Sequence, residues 1–84
     1  MDEVWCVYIL ELSNGAYYTG ITNNIEQRLE KHKTGKGSKY VRSFLPLKLA
    51  YIEQCESKSA ALKREIYIKK LSRKKKELLV KGQL

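Results

Sequence analysis

The stretch Y-Y-T-G-I-T-N-N-I-E-Q-R-L-E-K-H, residues 17 to 32, decides how this chain folds. Its first half is β-branched and aromatic and ends in a glycine step, as a strand does. Asn23 or Asn24 then supplies a side-chain oxygen to cap a helix. Glu26 or Gln27 stands where a capping box needs its partner. The spacing predicts a helix from Ile25 to Lys33, ended before Gly35 by a left-handed glycine cap. Arg28 and His32, four apart, leave it on the same side, while Ile25 and Leu29 face the core. An Arg with a His one turn later is commonly surface decoration. The alternative is a pocket wall shared with Tyr18.

Upstream, Val4 to Leu12 is an apolar run that reads as a strand buried on both faces. Ser13-Asn14-Gly15 joins it to Ala16–Ile21, giving a hairpin with two possible registers. A two-residue Asn14-Gly15 turn would set Tyr8 opposite Ile21, with Tyr8 and Tyr18 on opposite faces. A three-residue loop with Gly15 left-handed pairs Leu12 with Ala16. Tyr8 then meets Gly20, whose missing side chain makes room for the ring, and both tyrosines share one face. We expect the three-residue loop.

Downstream, residues 34 to 44 (TGKGSKYVRSF) read as a flexible cationic loop or irregular turn. A third strand is expected over Leu47–Cys55, then a long helix from Lys58 to about Leu71 and a shorter basic one to about Val80. The order is β-β-α-β-α-α. The fold class is α+β, a three-stranded antiparallel sheet flanked by helices. No repeat or linker divides the chain, so residues 1–84 form one domain with its core in about 4–80.

Composition narrows the function. At 43% hydrophobic and 31% charged the chain is a folding sequence, and no apolar run approaches the roughly 20 residues a membrane helix needs. Asp2 and Glu3 stand where a secretory leader would be basic, and Cys6 and Cys55 read as free buried thiols, so a cytoplasmic setting is expected. Residues 1–30 hold one basic and five acidic residues, a net of −4. Residues 31–84 hold sixteen basic and four acidic ones, a net of +12, and the two give the formal +8. Such one-sided charge suits a polyanion partner, though a solvated basic face has the same composition. In the long helix, Glu65 falls between Leu62 on one side and Ala61 and Ile68 on the other. A carboxylate inside an apolar arc needs a cation. Lys69, one turn on, would make it a structural ion pair, and a metal ion would make it a ligand.

Taken in order, C-V-Y (6–8), Y-T-G (18–20), the R-x-x-x-H helix and the later helical glutamate resemble the GIY-YIG nuclease superfamily, and its small stand-alone bacterial branch most closely. Cys6-Val7 stands in place of Gly-Ile, and Thr19 in place of Ile. The resemblance implies an endonuclease that hydrolyses phosphodiester bonds in DNA, with repair of branched or damaged DNA as the usual setting. It implies Tyr8, Tyr18, Arg28, His32 and Glu65 as catalytic residues and one Mg²⁺ (or Mn²⁺) held by Glu65. In that scheme Tyr8 is the general base, Arg28 clamps the phosphate, Arg28 and the metal favour the phenolate, and His32 draws off the phenol proton. Lys39, Arg42, Arg64, Lys69, Arg73, Lys74, Lys75 and Lys76 are the nucleic-acid contacts, and the protein is expected to be a monomer. Two other readings are a non-catalytic nucleic-acid-binding module and an adapter that recruits a repair nuclease.

Overall fold

A computed structural model describes residues 4–84 of the chain; Asp2 and Glu3, on which the leader argument rests, lie outside them. The elements are β1 (Trp5–Glu11), β2 (Tyr17–Thr22), α1 (Ile25–Lys33), α2 (Lys39–Ser43), β3 (Lys48–Cys55), α3 (Lys58–Lys70) and α4 (Arg73–Val80). The sheet is antiparallel with order β2-β1-β3, so the apolar β1 is central and buried on both faces as its composition requires. The one departure from the expected order is α2, a five-residue helix inside the 34–44 segment. Ser38 caps it through hydrogen bonds from the Tyr40 and Val41 amides, and Val41 is fully buried beneath it.

The hairpin follows the three-residue loop. Leu12 N–H donates to Ala16 C=O, Gly15 N–H returns to Leu12 C=O, and Gly15 sits at φ +82°, the conformation that excludes a Cβ at low cost. Tyr8 therefore lies opposite Gly20 and Leu10 opposite Tyr18. This register sends alternate β1 residues into two cores. Val7 and Ile9 pack with Ile68 of α3 and Leu79 of α4 on one face. Tyr8, Leu10 and Leu12 pack with Val41 of α2 on the other, covered by Ile25 and Leu29 of α1. Of the two asparagines, Asn24 is the cap of α1, accepting from the Gln27 amide. The helix closes with Lys36 N–H on Lys31 C=O and Gly35 at φ +79°. Cys6 and Cys55 are free thiols, buried and half-buried.

Among the described residues no helix is long and apolar enough to cross a membrane.

Candidate active site

The register of the hairpin and the pitch of α1 bring three rings together. Tyr8, 2% exposed, and His32, also 2% exposed, share a hydrogen bond of 3.0 Å between the phenol oxygen and Nε2. Tyr18 meets the same imidazole edge-on, with ring centroids 5.5 Å apart, against 6.0 Å for Tyr8. Two glycines make this packing possible. A Cβ on Gly20 would lie 2.6 Å from the Tyr8 hydroxyl oxygen, and one on Gly37 would lie 2.6 Å from His32 Nδ1. Gly20 was readable from the pairing. Gly37 was not, because the sequence places it in an irregular loop with nothing to show which side chain it approaches. Nδ1 itself is buried without a hydrogen-bond partner.

Burial, first of all, holds the His32 pKa below its ordinary value, and the positive charge of Arg28 adds to this. The imidazole is therefore neutral near pH 7. Burial likewise pushes the Tyr8 phenol up to about 12. Tyr18 and the Glu65 carboxylate add to the rise, and Arg28 opposes it. In the protein alone, desolvation outweighs the guanidinium and Tyr8 is a neutral phenol near pH 7, while Arg28 acts in the expected direction, toward the phenolate. The same couplings put Arg28 and Glu65 within electrostatic reach of the Tyr8 hydroxyl, which lies in the ring cluster with His32 and Tyr18. Tyr18 and Arg28 are half-buried, and the Arg28 guanidinium makes no hydrogen bond or ion pair with any described residue. Its charge remains available.

Glu65 makes the ion pair expected with Lys69. Its side chain is 17% exposed and pairs with Lys69 Nζ at 3.4 Å, while its charge still reaches the Tyr8 phenol. No cluster of three or more His, Cys, Asp or Glu capable of holding a metal occurs among the described residues. A lone, half-buried carboxylate is an all-oxygen, anionic donor, which suits a hard, water-rich cation such as Mg²⁺, commonly bound through one or two carboxylates and otherwise by waters and substrate phosphate.

The cationic residues separate into two groups. Arg64 donates through Nε to Glu53, which also accepts from the Tyr51 hydroxyl, and its guanidinium lies 5.1 Å from the Tyr67 ring. Arg73 stacks on Tyr17 at 3.8 Å and donates to Gly15 C=O and Glu77. Both are engaged inside the fold, and Lys69 is engaged by Glu65. Lys39, Arg42, Lys74 and Lys75 are exposed, and Lys76 is half-buried.

A family model described as the GIY-YIG catalytic domain matches residues 4–78. A UPF0213 protein of Bacillus cereus is 51% identical over 72 residues, 86% of this chain and 75% of that protein. One from Halobacterium salinarum is 47% identical over 73 residues, 87% of this chain and 95% of that one. The solution NMR structure of a UPF0213 protein from Bacillus halodurans superposes with a TM-score of 0.62 at 42% identity. It covers 95% of this chain and 85% of the other.

Proposed function

The chain belongs to the GIY-YIG family, a nuclease superfamily, and from that membership and the site geometry we propose that it is a metal-dependent endonuclease hydrolysing phosphodiester bonds in DNA. One observation carries the reading. An uncommitted guanidinium, a half-buried carboxylate and a hydrogen-bonded Tyr–His pair all act on the single hydroxyl of Tyr8. A structural core has no use for an unpaired arginine beside a buried phenol, whereas a phosphate does.

Arg28 clamps the non-bridging oxygens of the scissile phosphate with its planar fork. Tyr18 orients the attacking water. As water attacks phosphorus, its proton passes to the Tyr8 oxygen while the phenol proton passes to His32 Nε2; the bond to the leaving oxygen breaks, and that oxygen takes a proton from solvent to leave as the alcohol. His32 must present a lone pair at Nε2, which the neutral imidazole can do. Burial raises the phenol and lowers the imidazole, so moving the proton from one to the other in a separate step is uphill. Tyr8 therefore acts as a relay and His32 as the sink, with no free phenolate. Glu65 would hold one Mg²⁺ or Mn²⁺, and such an ion supplies charge neutralisation at the phosphoryl and leaving oxygens. Lys39, Arg42, Lys74 and Lys75 grip backbone phosphates.

Purified protein incubated with supercoiled DNA, with Mg²⁺ or with EDTA, tests this. Nicking is expected only with metal and is lost in Tyr8→Phe and in Glu65→Ala. Cleavage that persists in both variants refutes it. The Lys69–Glu65 pair favours one second reading, a binding module in which the carboxylate is structural. Metal-independent DNA binding with no cleavage would select it.

A further inference from the structure

Leu62 and Ile66 of α3 are 40% and 54% exposed and lie one turn apart; Tyr67 beside them on the same helix is 51% exposed, while Ala61 and Ile68 face the fold. At about 100° per residue, with Leu62 at zero, Ile66 lies near +40° and Glu65 near −60°. Lys58 and Lys69 fall near −40° and −20°, and Lys70 and Lys63 near +80° and +100°. The apolar pair is thus one step outward from the carboxylate of the site and is bordered by lysines on both sides. Lys63 and Lys70 have no ion-pair partner among the described residues.

We propose that Leu62 and Ile66 form a wedge that meets unstacked nucleobases next to the scissile phosphate, so that the preferred substrate is nucleic acid with an interrupted stack. This rests on the nuclease reading above. The chemistry is specific to such a substrate. Intact duplex presents phosphate on its outside, for which a fully cationic face would be the better match. An unstacked step presents phosphate and bare base faces together, and apolar side chains between cations complement both. A second copy of this chain is a poor occupant, since it would bring two sets of lysines together. A lipid surface is a poor one too, because the apolar strip is only two residues long and the opposite face of α3 is buried in the fold.

Binding measured in EDTA decides the matter without requiring cleavage. The probes are a labelled intact duplex and the same duplex opened by a short single-stranded gap carrying 2-aminopurine. The wild-type chain should bind the gapped DNA about tenfold more tightly, the scale of one base contact, and should change the 2-aminopurine fluorescence. The Leu62→Ala/Ile66→Ala protein should bind both DNAs alike, at the wild-type affinity for intact duplex and with the same salt dependence. It should also leave the fluorophore unchanged. Both side chains are exposed, so the variant should keep its circular dichroism. Equal binding of the two DNAs by the wild type, discrimination retained by the variant, or an equal loss on both DNAs overturns the wedge alone. Failure of the wild type to bind either DNA at low salt removes the nuclease reading with it.

Discussion

Replacing Gly20 by alanine should separate catalysis from stability. The new Cβ would stand 2.6 Å from the Tyr8 hydroxyl oxygen and 2.7 Å from Cζ, where ordinary contact begins at 3.4 Å. The hydroxyl end of the ring must therefore retreat by about 0.8 Å, the difference between 3.4 and 2.6. Tyr8 is buried among Leu10, Leu12 and Val41, so this motion meets a packed core. Overpacking of this kind costs roughly 1–3 kcal/mol. Against it, alanine loses less chain entropy on folding than glycine, which returns about 0.5–1 kcal/mol. A net loss of about 1 kcal/mol corresponds to a fall in Tm of about 4–8 °C for a domain of this size. Under the proposed mechanism function is hit harder, because the displaced atom is the one that would exchange protons with water and with His32. A misplacement near 1 Å costs about 10²-fold in rate. Thermal denaturation followed by circular dichroism, run beside a Mg²⁺-dependent nicking assay, reads both quantities. Nicking within threefold of wild type in a folded Gly20→Ala protein would refute the role given to the Tyr8 hydroxyl.

Three other outcomes follow from the same geometry. Gly37→Ala puts a Cβ 2.6 Å from His32 Nδ1, and should detach the imidazole from Tyr8, seen as a shift of the His32 ring resonances toward those of an exposed histidine, with about 1–2 kcal/mol lost on denaturation. Lys39→Glu and Arg42→Glu should each weaken DNA binding and reduce its salt dependence, whereas Arg64→Ala should leave affinity unchanged and cost about 1 kcal/mol of stability, because its partners are Glu53 and Tyr51. The buried pair sets two pH windows. The raised Tyr8 pKa makes the folded state hold a proton that the unfolded chain releases near 10, so that contribution is complete below pH 10 and disappears as pH rises toward about 12. The lowered His32 pKa acts oppositely, being complete above 6.5 and lost as pH falls through the depressed value. Denaturation midpoints of wild type and Tyr8→Phe across alkaline pH, and of wild type and His32→Gln across acidic pH, should diverge in those windows.

What the sequence discloses about this fold is governed by the range of the interactions involved. The hairpin was legible because strand side chains alternate, so a one-residue slip would have sent Tyr8 and Tyr18 to opposite faces, and only one register gave the Tyr8 ring the space above Gly20. Helix α1 was legible from its cap and its glycine stop, both local. Helix α2 was not, since two glycines and three cations read as a loop, and what orders it is burial of Val41 against Tyr8 and Leu10 from another part of the chain. The internal partners of the arginines of α3 and α4 were hidden for the same reason. The carboxylate that engages Arg64 lies eleven residues back on β3, and the carbonyl that engages Arg73 lies 58 residues back in the hairpin loop. A sequence gives the sign of a charge and the face it occupies, but whether that charge is already spent depends on partners set by tertiary packing. Arg28 and Arg64 illustrate the point. Both are half-buried helical arginines at the edge of an apolar stripe, yet one is neutralised by Glu53 and the other has no ion-pair partner among the described residues. The unspent charge, where we propose that the phosphate sits, becomes visible only once the competing carboxylates have been assigned to their own cations.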